Sequence, residues 1–172
     1  EFIDLAEDTG LVVPIGDWVM REVIAQIARW KSAGEPLVPV SVNVSPLQLR
    51  NGQLAETLLR ALDEHQVDPA LVEVEVTESA VVDRSLTVVQ QLDALRDGGI
   101  RLMIDDFGVG HSSLAQLHRL DVDVLKVDRG FTTALSEGSE GELLYRAIIS
   151  MAEALEMTVV AEGVETLPQL RQ

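Results

Sequence analysis

Five short runs in this chain end in polar or ionisable residues. Asn43 and Ser45 close "LVPVSVNV" (37–44), while Glu75, Thr77 and Glu78 lie in and just after "LVEVEVT" (71–77). Asp105 and Asp106 finish "IRLMIDD" (100–106), Lys126 and Asp128 fall in "DVLKVD" (123–128), and Glu162 and Glu165 end or follow "MTVVAEG" (157–163). Taken singly, each has a plain structural explanation. Ser45 with Pro46 behind it is a helix cap, Thr77 and Ser79 suit turns or caps, and Glu73, between Val72 and Val74, suits a solvated strand face or a second inward carboxylate. Taken together, Asn43, Glu75, Asp105, Asp106, Lys126, Asp128 and Glu162 converge on one rim if the five runs are parallel strands, because such sheets build sites at their C-terminal strand ends. So many carboxylates repel one another, and a single lysine cannot balance them.

Hard divalent cations resolve the conflict. Carboxylates plus one amide oxygen suit Mg²⁺ or Mn²⁺, whereas zinc prefers nitrogen and sulfur. The adjacent aspartates are informative because successive side chains on a regular strand point to opposite faces. Both reach the site only if the strand has ended at Asp106, and Gly108 and Gly110 supply the sharp turn. Two cations about 3.5–4 Å apart form the clamp that hydrolyses phosphodiesters. Lys126 is placed to orient a water and Glu162 to take its proton, with Asp128 facing the same way as Lys126. Competing motifs fail: "DFG" (106–108) lacks the other kinase elements, "GVG" (108–110) is half a dinucleotide fingerprint, His65, His111 and His118 have no metal-ligand spacing, and Ser112-Ser113 reads as a cap.

The elements that must position these groups follow from periodicity. The strand starts are roughly 23 to 34 residues apart, the size of β-α-β units. Helical patterns fill the gaps. Asp17 is expected to cap a helix through Trp18, Val19, Val23, Ile27 and Trp30 to a stop at Gly34. Ser45-Pro46 opens one carrying Leu47, Leu54, Leu58, Leu59 and Leu62. Ser79 opens another through Val88, Leu92 and Leu95 to Gly98-Gly99, a short helix follows Ser112-Ser113, and a longer one covers roughly 139–155. The pattern fits a doubly wound sheet or a (β/α)8 barrel. Five units in 172 residues fall short of the roughly 250 that a closed barrel uses, so the chain is expected to be part of a larger domain.

Composition narrows the chemistry. Lysine and arginine number 13 against 29 acids, a net charge of −16, and such a surface repels DNA and RNA. There is no cysteine, which excludes disulfides and thiolate metal sites and fits a reducing cytoplasm. No run approaches the roughly 18 apolar residues of a membrane span.

The motifs "VNVS" (42–45), "EVEVTES" (73–79), "IDDFGVGHSSL" (104–114), "DVLKVDRGF" (123–131) and "VVAEGVET" (159–166) occur in the order found in a known family. With the opening "FIDLAEDTGLVVPIGDWV", nearly the whole chain resembles the EAL domain, bacterial phosphodiesterases that cut cyclic di-GMP to linear pGpG. The resemblance implies a (β/α)8 TIM-barrel-like α/β fold with one antiparallel strand, incomplete here at about five β-α units. The Glu-Ala-Leu strand would lie before Glu1 and the last strand after Gln172. It also implies that Asn43, Glu75, Asp105 and Asp106 are metal ligands, the two aspartates serving different ions, with Asp128 beside the second. Lys126 would hold the attacking water and Glu162 act as general base; Glu78 would anchor the loop after Asp106, and Glu165 support the far side. Val109 and His111 stand where the family usually has Thr and Tyr. Further implications are a homodimer, upstream sensory or GGDEF-type domains, and a cytoplasmic setting, with tethering to a membrane only through other domains. The alternative is a catalytically silent EAL-like module that binds cyclic di-GMP or a protein partner.

Overall fold

A computed structural model describes residues 2–78, 80, 83, 85–108, 122–135 and 140–171 of the chain. Helices α1 (Phe2–Asp8) and α2 (Val12–Ala33) precede strand β1 (Val40–Val44), and α3 (Pro46–Asn51) and α4 (Leu54–His65) lead to β2 (Val72–Thr77). Then come α5 (Leu86–Asp97), β3 (Arg101–Phe107), β4 (Val124–Val127), α6 (Arg129–Thr133), α7 (Glu140–Ala154), β5 (Thr158–Ala161) and α8 (Leu167–Arg171). The strands form one sheet in the order β1-β2-β3-β4-β5, every pair parallel. A doubly wound sheet reverses its strand order at a switch point. Strictly sequential neighbours are instead the arrangement of a barrel arc.

The strands alternate in a way unusual for parallel sheets, whose strands commonly run apolar on both faces. Val42, Val44, Val72, Val74, Val76, Leu102, Ile104, Leu125 and Val127 are all buried. They belong to one core with Ile24, Ile27, Leu49, Leu58, Val88, Leu92 and Leu95 from the helices. Burying each such side chain contributes about 1.5–3 kcal/mol, and this fixes which way every strand faces, since a one-residue slip would turn the whole set over. The opposite face carries Ser41, Asn43, Glu73, Glu75, Thr77, Arg101, Met103, Asp105 and Lys126. Polar character on that face is the price of the site.

Four expectations about local structure are corrected. Helix α2 starts at Val12, so Asp17 lies inside it and caps nothing; Pro14 sits in its first turn, where a missing N–H is tolerated. The segment from Ser45 to His65 is two helices. Ser45 caps α3 in a reciprocal box with Gln48, but Gly52 ends it in a left-handed conformation (φ +76°) before α4 begins. Helix α5 starts at Leu86, later than expected, and is capped by Ser85, whose hydroxyl accepts from the Val88 N–H. Finally, β3 does not stop at Asp106: it runs on to Phe107 through a break in register with β4 between Ile104 and Phe107. Ser79, Val109, Gly110, His111, Ser112, Ser113 and His118 lie outside the described residues. His65 is exposed, as expected. No helix among the described residues is long and apolar enough to cross a membrane.

Candidate active site

Lys126 is the centre of the polar face. Register places it on β4 next to Asp105 of β3, while Glu75 lies one strand further on. Glu162 is delivered from the other side, one residue past β5, where its N–H bonds to the Val127 carbonyl at 3.1 Å. The ammonium donates to Glu75 Oε2 at 2.8 Å, Asp105 Oδ1 at 2.9 Å and Glu162 Oε1 at 2.8 Å. An ammonium has three N–H donors, and all three are used. Burial works against the charge on Lys126, but the bonds to Glu162, Glu75 and Asp105 outweigh it and hold the pKa above its ordinary range.

Asp106 joins the cluster by an unusual backbone route. Its φ is +53°, a left-handed value that aspartate tolerates better than most residues. Combined with the break in register, this is a bulge, the device by which a strand re-aims a side chain. One carboxylate oxygen each from Asp105, Asp106 and Glu162 lies within 4.8 Å of the others. The two adjacent aspartates therefore share one side by a bulge inside the strand, not by its termination. Desolvation raises the pKa of Asp106 most, followed by repulsion from Asp105, Asp128 and Glu162, with Lys126 opposing. Glu75, Asp105, Asp106 and Glu162 thus surround one ammonium. That excess of oxygen donors over positive charge fits a hard divalent cation.

The other expected site residues are placed as follows. Asn43 is exposed on β1, directly opposite Glu75. Asp128 caps α6, its Oδ1 accepting from the Gly130 N–H at 2.8 Å. Glu78 is buried and its Oε2 accepts from the Gly108 N–H at 3.2 Å, tying down the chain just beyond Asp106. Glu165 is exposed, and its backbone N–H bonds to Gln169 Oε1. Glu73 proves to be the second inward carboxylate: it accepts from Arg101 Nη1 at 2.9 Å and from the Ser41 hydroxyl at 3.2 Å. Arg101 was not among the expected site residues, although the alternation of β3 puts it on the same face as Asp105.

One consequence is measurable without substrate. The fold disfavours the ionised form of Asp106, so wild-type stability falls as pH rises from the unfolded value of about 3.9 through the raised folded value. With EDTA present, Asp106→Asn should therefore raise Tm at neutral pH, and the gap should open across that window. Asparagine also suits φ +53°, but that part of the gain is independent of pH. A Tm difference that stays constant from about pH 3 to 7 by calorimetry would refute the electrostatic account.

The family model for the EAL domain matches residues 1–172. The chain is 40% identical over 172 residues to the bifunctional diguanylate cyclase/cyclic di-GMP phosphodiesterase MucR of Pseudomonas aeruginosa, covering 98% of this chain and 25% of that protein. It is 38% identical over 169 residues to the cyclic di-GMP phosphodiesterase PdeR of Escherichia coli, covering 96% and 25%. Among solved structures, the PaMucR phosphodiesterase in complex with c-di-GMP has a TM-score of 0.90 at 38% identity, covering 99% of this chain and 74% of that one. The chain spans about a quarter of the length of these curated relatives.

Proposed function

Because the chain belongs to the EAL domain family, we propose that the protein carrying it is a metal-dependent phosphodiesterase that hydrolyses cyclic di-GMP to linear pGpG in bacterial second-messenger signalling. The observation that carries this reading is the Lys126 cluster, where Glu75, Asp105 and Glu162 converge on one ammonium with Asp106 beside them. On this reading Asn43, Glu75, Asp105, Asp106 and Asp128 hold two Mg²⁺ or Mn²⁺ ions. When bound, these would offset the charge of the phosphate and acidify a water.

The protein's own groups divide the remaining work. Lys126 releases one of its three carboxylate bonds and orients the attacking water with the N–H so freed. Glu162, at the rim and one-third exposed, takes the water's proton. A bond forms between the water oxygen and one phosphorus as the ring P–O bond breaks, the departing sugar oxygen taking a proton from solvent, so a cyclic bis-phosphodiester becomes a linear dinucleotide. Glu78 keeps the chain after Asp106 in place through the Gly108 N–H, and Glu165 supports the far side. The chain would supply five β-α units of the domain, with its other strands elsewhere in the full-length protein. The greater length of the relatives supports sensory or GGDEF-type domains beside it. A cytoplasmic setting and a homodimer complete the reading.

The test is turnover of cyclic di-GMP by the full-length protein with Mg²⁺ or Mn²⁺ against EDTA, the product followed by anion-exchange chromatography. Cation-dependent appearance of pGpG is expected. Binding of the dinucleotide with no cation-dependent turnover would mean a silent binding module and would sink the proposal.

A further inference from the structure

Two glycines flank the acidic cluster, each in a left-handed conformation that side chains rarely adopt. Gly108 (φ +99°) lies two residues after Asp106, and Gly163 (φ +68°) directly follows Glu162. Both are pressed by the same short segment of chain. A Cβ at Gly108 would fall 2.6 Å from Cε2 and Cζ of the Phe131 ring, and one at Gly163 would fall 2.7 Å from Cβ of Arg129. Neither position has room for a side chain, so the two loops close against this turn by backbone contact.

The turn is itself held firmly. Asp128 caps it through the Gly130 N–H, the Thr132 side chain is fully buried, and Gln169 Nε2 donates to the Thr132 carbonyl at 3.2 Å from helix α8. It also sits between β4 and β5 in sequence, beyond Lys126. Asp106 and Glu162 approach the cluster from its two sides, and the Arg129–Phe131 turn is the piece that touches the chain beyond each.

We propose that Phe131 and Arg129 are positioning residues for the reaction, holding Gly108 and Gly163 so that the Asp106 carboxylate stays among the ligands of a divalent cation and Glu162 stays beside it to take the water's proton. The proposal rests on the metal-dependent reading above. The Phe131 ring acts through Gly108: with the ring gone, Gly108 loses the surface it closes on, and the left-handed conformation at Asp106, two residues before it, has less to sustain it. Groups that orient metal ligands without touching the metal are worth roughly 10- to 100-fold in affinity.

The experiment is titration of the full-length protein with Mn²⁺ alone, free ion being read by electron paramagnetic resonance. Phe131→Ala should weaken Mn²⁺ binding about 10-fold, and Phe131→Leu, which keeps bulk but not the flat ring, by less. Ile24→Val, a core change on α2 far along the chain from the cluster, should leave the affinity unchanged, which separates positioning from general loss of stability. Wild-type affinity in both Phe131 variants overturns the proposal. If the alanine variant does not fold, wild-type affinity in Phe131→Leu does so alone. Absence of Mn²⁺ binding by the wild type overturns the metal-dependent reading itself, a result distinct from equal binding by wild type and variant.

Discussion

Glu162→Gln in the full-length protein is expected to lower cyclic di-GMP turnover about 10²- to 10⁴-fold, the usual worth of a general base, with binding of the dinucleotide changed little. The substitution is close to isosteric, and its carbonyl oxygen can still accept from Lys126 where Glu162 Oε1 now does at 2.8 Å. The backbone is anchored independently, by the Glu162 N–H on the Val127 carbonyl, so the side chain stays at the rim. What disappears is the ability to take a proton. Turnover within a few-fold of wild type would remove Glu162 from that role. The same variant also removes one acidic oxygen from the group of three, so its Mn²⁺ affinity must be measured separately; a loss of kcat at saturating cation isolates the proton transfer.

Lys126→Met is expected to have the largest effect on the protein without cations. It removes the ammonium that, among the described residues, bonds Glu75, Asp105 and Glu162 together. Removing one partner of a buried ion pair costs roughly 3–5 kcal/mol. Glu75 is 7% exposed, but the more open positions of Asp105 and Glu162 bring the expected loss down to about 2–3 kcal/mol. The sign with pH is definite. A lysine whose pKa is raised by folding contributes fully below its unfolded value of about 10.4 and loses that contribution only as pH rises through the higher folded value. The deficit is therefore complete at neutral pH. It should shrink when Mg²⁺ or Mn²⁺ is added, because a bound cation replaces the missing positive charge. A Tm in EDTA equal to that of wild type, or an added cation that raises the variant's Tm no more than the wild type's, would contradict this account of the cluster. Turnover should fall to the level of Glu162→Gln or below.

Much of the architecture can be read from alternation and strand ends. "VSVNV" and "VEVEVT" state which face of each strand is apolar, and the observed strands at 40–44 and 72–77 follow them closely. The polar residues that cluster on the opposite face were visible for the same reason, since a carboxylate at an apolar strand's end needs an explanation wherever the sheet curves. Helix starts were harder. Asp17 and Ser79 have the right chemistry for caps, but a cap is chosen by where the helix packs: α2 buries Val12, Met20, Ile24 and Ile27, a stripe that begins before Asp17. The split at Gly52 was hidden because leucines on both sides of it share a helical period.

The sequence by itself determined five parallel strands, the side each presents to the core, and the set of acids and the lysine at their ends, because those depend on residue type and on a period of two. Only the tertiary structure decided how these groups meet. The bulge that turns Asp106 to the side of Asp105, the pairing of Glu73 with Arg101, the three bonds that exhaust Lys126, and the contacts of Phe131 and Arg129 with two left-handed glycines all depend on neighbouring strands and turns. Their register and close approach are set by packing between segments far apart in the chain, which no local pattern encodes.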